Sequence, residues 1–444
     1  MQARRVALFS AAMASLAAFA VLLPSAFLFA LVTSITAIYT VWGVYHVVIT
    51  LSGLKPPMNP DVRLDHYPKI SAILPARNEP ILGRTIEACL HHVDYPQDKK
   101  EIIVVVDDEG GERIAFWYQQ KYPETVKLLA RRQFFPTKPS ALNDAMRLCT
   151  GDIVVIMDVE DIPDRDVFLK AAAAITKHGR QAVQVILRIG NTDDSWISKV
   201  FGMEYAGWFR IMLNGRSSLE MFAPLGGTGN YFSRAALRYV GGYEPTNLAE
   251  DAELAIRLRI ARWNVGTIDA RHWEEAPVTL DAWIKQRSRW FRGWMQSFWK
   301  YSHILFRPAV ARRMGYMGIF STLVMLVSPL IVVLNWIAYA VTAYWLLESA
   351  GVLPPATAGA IPFWTIIPLW FNALYYYIWI KGAKLEGIKV NVVRYLPHMF
   401  FYMNVMMPIA SLRAFYQELF KPVFWEKTAH QGRGVRSPSA AVEK

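Results

Sequence analysis

Hydrophobic and polar positions follow two different patterns along the chain. Near the ends, apolar residues run almost unbroken. Residues 6–23 (VALFSAAMASLAAFAVLL) and 26–51 form two runs separated by Pro24-Ser25, and 314–347, 362–380 and 395–420 form three more. A helix needs roughly 20 apolar residues to cross a bilayer. The first two runs predict a hairpin of two spans joined by a tight turn. A cleaved signal peptide is the alternative for the first, since Arg4 and Arg5 precede it. Against that, the second run follows at once, with no clear small-residue cleavage site between. The 314–347 run is interrupted at Ser328-Pro329 and reaches roughly 50 Å, short for two crossings. It predicts an interfacial or re-entrant half followed by one span. Residues 362–380 predict another span. Residues 395–420, broken at Pro408, predict a re-entrant segment or short hairpin.

Between these runs the pattern is that of a globular domain. "KISAILPARNEP" (69–80) predicts a buried strand ending at Pro75, and a helix follows over 82–93. "KEIIVVVDDEG" (100–110) predicts a second apolar strand, "TVKLLARR" (125–132) a short third, "KPSALNDAMRLC" (138–149) a helix, and "DIVVIMDVED" (152–161) another strand. Strands alternating with helices predict an α/β, Rossmann-like domain with a mostly parallel sheet covered on both faces. Such sheets bind ligands beyond the carboxyl ends of their strands. Asp107, Asp108, Asp158, Glu160 and Asp161 all fall at such ends. One acidic pair after a strand is ordinary turn chemistry; two acidic strand ends in one sheet are harder to explain that way. Converging carboxylates repel unless a cation neutralises them. With no His or Cys nearby in sequence, they suit Mg²⁺ or Mn²⁺, whose shell is commonly completed by phosphate oxygens. The pattern therefore points to a metal-bound diphosphate.

Charge and composition place the domain. The chain has 444 residues, is 53% hydrophobic, contains 16 Trp and carries a formal charge of +12. A basic excess suits nucleic acid, anionic lipid or an anionic substrate. Here many cations flank the apolar runs, which favours a lipid surface. Arg4 and Arg5 precede the first run, and Lys55, Arg63 and Lys69 follow the second. By the positive-inside rule the central domain faces the cytosol. Loop 348–361 lacks Lys and Arg and is expected outside. Lys381, Lys384, Lys389 and Arg394, and the tail with Lys421, Lys427, Arg433 and Arg436, are expected inside. The two cysteines, Cys89 and Cys149, suggest neither a disulfide framework nor a zinc site. "DAWIKQRSRWFRGW" (281–294) mixes Trp283, Phe291 and Trp294 with Arg287 and Arg292, as an interfacial helix does. No nucleic-acid-binding module surrounds it.

Eight stretches in order, "LPARNEP", "VVVDDEG", "TKPSALN", "MDVEDIP", "PLGGTGNYF", "LAEDAEL", "QRSRW" and "FWEKTAH", span roughly residues 65–430. Together they resemble the membrane-embedded family 2 glycosyltransferases, the group that includes bacterial cellulose and hyaluronan synthases. The resemblance implies a GT-A-like cytosolic domain over 65–275, inserted between an N-terminal transmembrane hairpin (1–54), interfacial helices (276–312) and C-terminal transmembrane or re-entrant segments (313–420). A tail (421–444) would carry a gating segment at 424–430.

The resemblance also implies roles for particular residues. Glu79, Asp107 and Asp108 would line the nucleoside pocket, and Lys138 would meet the diphosphate. Asp158 would bind both donor and metal, with Glu160 or Asp161 as its partner at the ion. Gly226, Gly227 and Thr228 would shape the acceptor loop. Glu250 and Asp251 stand in the place of the family's Thr-Glu-Asp, with Ala249 replacing Thr and Asp251 as the base. Gln286 and Arg289 would face the diphosphate, and Trp290 would pack on the acceptor sugar. The implied activity is inverting transfer from a nucleotide sugar, with UDP-glucose as the expected donor, to a growing β-linked polysaccharide moved through the protein's own spans. Transfer to a membrane glycolipid is the alternative, and a non-enzymatic membrane sensor is a third. The implied setting is the cytoplasmic membrane, with Mg²⁺ or Mn²⁺ as cofactor, the lipid bilayer as surrounding and an export partner in the envelope.

Overall fold

The structure is a computed structural model and describes residues 2–132, 137–354 and 363–421. Its centre is an eight-stranded sheet: β1 (Ile70–Ala76), β2 (Lys100–Val106), β3 (Val126–Ala130), β4 (Ile153–Ile156), β5 (Ile162–Pro163), β6 (Ala182–Ile189), β7 (Asn230–Ser233) and β8 (Val265–Glu274). The spatial order is β3-β2-β1-β4-β7-β6-β8-β5. The first four neighbours are parallel, as the strand–helix alternation predicts. β7 then runs antiparallel between β4 and β6, β6 pairs parallel with β8, and β5 runs antiparallel at the far edge. β1, β2 and β4 are near-continuous runs of Ile, Val, Leu and Ala, because both faces of the sheet are covered and every position is interior.

Helix Leu280–Leu305 begins on a Thr279 hydroxyl that accepts from the Ala282 amide at 3.3 Å. It lies between the sheet domain and a bundle of apolar helices. Glycine allows close approach twice in this region. Gly53, at the end of helix Pro24–Gly53, faces Gly215 with no room for a Cβ on either. A Cβ on Gly293 would overlap the backbone of Ala249.

Among the described residues, two helices, Ala26–Gly53 and Pro308–Ser349, are long and apolar enough to cross a membrane. The first apolar run is helical over Gln2–Leu22, and Pro24 opens the next helix, a position where its missing N–H has no partner to lose. Two expected breaks are absent. A kink at Gly315 (φ 71°, ψ 159°) divides Pro308–Ser349 into two helices, and the longer one, beyond the kink, runs on through Pro329. Pro329 leaves the Met325 carbonyl without its amide donor, and the Ser328 hydroxyl fills the vacancy at 2.7 Å. Residues 392–420 are likewise continuous: Val392–Phe401, a π-turn at Tyr402–Met406, then Met407–Phe420. Pro408 orphans the Asn404 carbonyl, which accepts from the Trp336 indole at 2.6 Å. The short hairpin expected here does not form. In both cases the sequence signal was sound for an isolated helix, and a side-chain donor overrode it.

Candidate active site

A cavity of about 680 Å³ opens beyond the carboxyl ends of β1, β2 and β4 and continues between the apolar helices. At its sheet end it is lined by Glu79, Asp107, Lys138, Asp158 and Glu160. Asp107 lies 3.6 Å from Arg77 across the two strand ends. Lys138 opens a helix capped by Thr137, and its ammonium donates to the Gly227 carbonyl at 2.8 Å and to Asp158. Burial works against the charge of Lys138, but Asp158 and Glu250 outweigh it and hold the group above its ordinary value, so it is a fixed cation.

The glycine-rich loop after Pro224 brings the charged groups together. The Gly226 amide donates to Gln184 on β6 at 2.7 Å, and the Asn230 side chain donates to the Gly226 carbonyl at 2.6 Å. Gly229 sits at φ 64°, a conformation that favours glycine. A Cβ built on Gly227 would lie 3.8 Å from Asp251 Oδ2, 3.8 Å from Lys138 Nζ and 4.0 Å from Asp158 Oδ2. One point in the cavity is thus ringed by the three side chains from three distant stretches of sequence.

Glu250 and Asp251 open helix Glu250–Ile260, where acids suit the helix dipole. The loop before them is bolted to helix Leu280–Leu305. Asn247 donates to Ser297 at 3.0 Å, and the Leu248 amide donates to Gln296 at 3.1 Å. The Asp251 carboxylate accepts from the Ala252 amide at 2.7 Å. Burial and the adjacent Glu250 charge push Asp251 up to about 7, against Lys138 and Arg289, which pull it down. Gln286, Arg289 and Trp290 also line the cavity.

Two expected site residues lie outside the cavity lining. Asp108 caps helix Glu109–Lys121 by accepting from the Gly111 amide at 2.8 Å, and it also accepts from Asn78 N at 2.8 Å. Asp161 is completely buried: it accepts from Thr228, and His272 of β8 lies 3.2 Å away. Burial pushes its carboxyl up against the pull of His272. Asp158 and Glu160 face the cavity, and Asp161 supports the Thr228 loop from behind. Among the described residues no group of three or more His, Cys, Asp or Glu is gathered to hold an ion. Two carboxylates nevertheless fit a hard cation that takes its remaining ligands from a diphosphate and water.

Other residues of the lining were not singled out from the sequence. Glu274 ends β8, Glu275 follows it, and both line the cavity; burial, with Asp161, Asp158 and Glu160 adding, pushes Glu274 well up. Their signal was the one that marked Asp107 and Asp158, acids at the end of an apolar strand, but β8 itself was not read as a strand. Glu204 also lines the cavity and had no sequence signal at all.

A mostly parallel sheet with acids, a lysine and a glycine-rich loop at one rim defines a GT-A-like fold. Residues 68–293 match the model of glycosyltransferase-like family 2, and the chain belongs to that family. It is 28% identical over 292 residues to a beta-monoglucosyldiacylglycerol synthase of Synechocystis, covering 60% of this chain and 59% of that protein. It is 26% identical over 238 residues to a poly-beta-1,6-N-acetyl-D-glucosamine synthase of Staphylococcus aureus, covering 53% and 56%. The chain thus spans under two thirds of the length of the curated relatives it matches. Among solved structures, the mannosyltransferase PcManGT of Pyrobaculum calidifontis, in complex with GDP-Man and Mn²⁺, superposes with a TM-score of 0.56 at 21% identity. The match covers 88% of this chain and 99% of that one, and it shows a shared fold.

Proposed function

We propose that this protein is a membrane glycosyltransferase that moves a sugar, with inversion, from a nucleoside diphosphate carrier to the end of a growing glycan. UDP-glucose is the proposed donor. One observation carries this proposal: the cavity that begins among acids and Lys138 at the strand ends continues past Asp251 and Trp290 into the apolar helices. The donor lies at the sheet end. Asp107 and Glu79 suit the nucleoside, Lys138 and Arg289 the diphosphate. Asp158 and Glu160 would hold Mg²⁺ or Mn²⁺, which when bound neutralises the diphosphate as it leaves; the Mn²⁺ of PcManGT is consistent with this. Asp251, with its carboxyl near 7, accepts the proton of the acceptor hydroxyl as that oxygen attacks the anomeric carbon from the opposite face. Trp290 supplies the face on which the acceptor sugar stacks. The domain over 65–275 faces the cytosol, with 1–54 and 313–420 in the cytoplasmic membrane, 276–312 at its surface and the product leaving through the helices toward an export partner. The expected gating segment, 424–430, lies outside the described residues.

The lining of the membrane arm bears on the acceptor. Trp208, Tyr205, Tyr375 and Trp42 recur along it, and aromatic rings stack on pyranose faces. Ile331, Val332, Met403 and Met407 also line the cavity, and they favour a second function, transfer to the head of a membrane lipid, as in the Synechocystis relative. Incubating purified protein in detergent with radiolabelled nucleotide sugars and Mn²⁺, then sizing and phase-partitioning the product, separates the two. A ladder of lengths supports the growing chain and a single organic-soluble product the lipid. Undiminished transfer in excess chelator would reject the metal, and no transfer from any nucleotide sugar would reject both functions.

A further inference from the structure

The acceptor end of the cavity holds a buried ion pair that the proposed chemistry does not use. Arg287, one turn before Trp290 on helix Leu280–Leu305, makes a two-pronged pair with Glu204 of helix Trp196–Tyr205. Its Nη1 donates to Oε1 at 2.8 Å and its Nη2 to Oε2 at 2.6 Å. Both side chains are largely buried, at 6% and 14% exposure. The Tyr402 hydroxyl, from the helical run 392–420, donates to the same Glu204 oxygen and accepts from the Trp283 indole at 2.7 Å. Three helices are thereby locked at one carboxylate.

The guanidinium lies against aromatic rings. Its Cζ is 4.7 Å from the centroid of Trp290 and 5.2 Å from that of Trp283. The Trp290 ring is met by Tyr205 at 6.2 Å and 30°, and by Phe201 at 6.2 Å and 45°; those two rings are stacked on each other at 4.5 Å. A buried ion pair is weak evidence for stability, because desolvation cancels much of its attraction. What it does supply is a fixed geometry. A forked pair holds the plane of the guanidinium, and the guanidinium face holds the ring beside it.

We propose that Arg287, held by Glu204 and Tyr402, is a positioning residue that fixes the orientation of the Trp290 ring and so the placement of the acceptor over Asp251. The functional half of this statement rests on the proposed role of Trp290; the geometric half does not. Arg287 touches no reacting atom in this scheme. Its effect passes through Trp290, and displacement of an acceptor by about an ångström can cost on the order of a hundredfold in rate.

The test uses the full-length protein in detergent with 5-fluorotryptophan incorporated. The Trp290 fluorine line is assigned by its loss in Trp290→Phe. Arg287→Met, which fills the same space without the charge, is expected to shift and broaden that line. Glu204→Gln should do so as well, and Arg287→Lys should lie between. Arg292→Met serves as the control. It removes another buried pair on the same helix, with Glu418 at 3.2 Å, two residues beyond Trp290 and so off its face. It is expected to leave the line in place. Transfer by Arg287→Met should fall at least tenfold, and the double variant with Trp290→Ala should be no slower than Trp290→Ala alone. An unmoved Trp290 line in both Arg287→Met and Glu204→Gln overturns the clamp. Losses that multiply in the double variant overturn its action through Trp290. A line that moves while transfer stays intact leaves the clamp standing and rejects the platform role of Trp290 instead.

Discussion

The two ends of the cavity are built on different principles. At the sheet end, Asp107 and Asp158 follow β2 and β4, whose backbones are fixed by ladders on both sides, parallel for β2 and parallel and antiparallel for β4, and Lys138 opens a capped helix. At the other end Trp290, Tyr205, Glu204 and Tyr402 come from three helices joined here by side-chain contacts. A sheet rim can fix charges within fractions of an ångström, which suits an anionic leaving group. A helix bundle offers a surface that accommodates an extended or flexible acceptor. Asp251 stands where the two meet, in the first turn of a helix whose preceding loop is bonded to helix Leu280–Leu305, and it rings Gly227 together with Lys138 and Asp158.

Substitutions at the two ends should therefore separate transfer from donor binding. The largest effect is expected at the junction: Asp251→Asn should slow transfer by about 10²–10⁴-fold while nucleoside diphosphate affinity, read by calorimetry, stays close to wild type. Near-normal turnover would remove Asp251 from the role of base. At the acceptor end, Trp290→Ala should cost about a hundredfold in transfer, again with nucleotide affinity retained. An equal loss of nucleotide affinity would erase the distinction between the ends. At the donor end, Glu160→Gln should raise the Mn²⁺ concentration needed for half-maximal transfer by about tenfold. Asp161→Asn should leave that requirement alone and lower the melting temperature, because it disturbs a buried carboxylate bonded to Thr228 and beside His272. The reverse outcome would put Asp161, not Glu160, at the ion.

Smaller effects sharpen the same division. The folded-state value of about 7 for Asp251 means that its basic form is lost as pH falls. Transfer should decline about tenfold per unit below pH 7, and Glu250→Gln, which removes the neighbouring charge, should move that limb to lower pH. A profile flat from pH 6 to 8 would contradict the assignment. The smallest effect is expected from Asp108→Ala. It removes a helix cap worth about 1 kcal/mol and should lower stability without changing nucleotide affinity.

How much of this was legible in the sequence differs between the ends for the same physical reason. β1, β2 and β4 read directly, because interior strands covered on both faces are largely apolar and their acids stand out at the rim. Asp108 and Asp161 read as site residues because sequence shows that an acid follows a strand but not which way it faces. One caps a helix, and the other meets His272, 111 positions away. β6 and β8 were not read at all, although "AVQVILRI" is as apolar as β2. Their partners are far along the chain, and β7 inserts between β4 and β6 with the opposite direction. In the helices, Pro329 and Pro408 read as breaks because their compensating donors, Ser328 and Trp336, act through side-chain geometry. The Glu204–Arg287 pair joins positions 83 residues apart and leaves no local pattern.

The most direct test of a cavity with a donor end and an acceptor end is a cryo-electron microscopy map of the protein with UDP and Mn²⁺. The account predicts diphosphate density against Lys138 and beside Asp158 and Glu160, uracil toward Asp107, and open space between the diphosphate and Trp290 with Asp251 facing it. Nucleotide bound among the apolar helices, or diphosphate lying on Trp290 and away from Lys138, would contradict it.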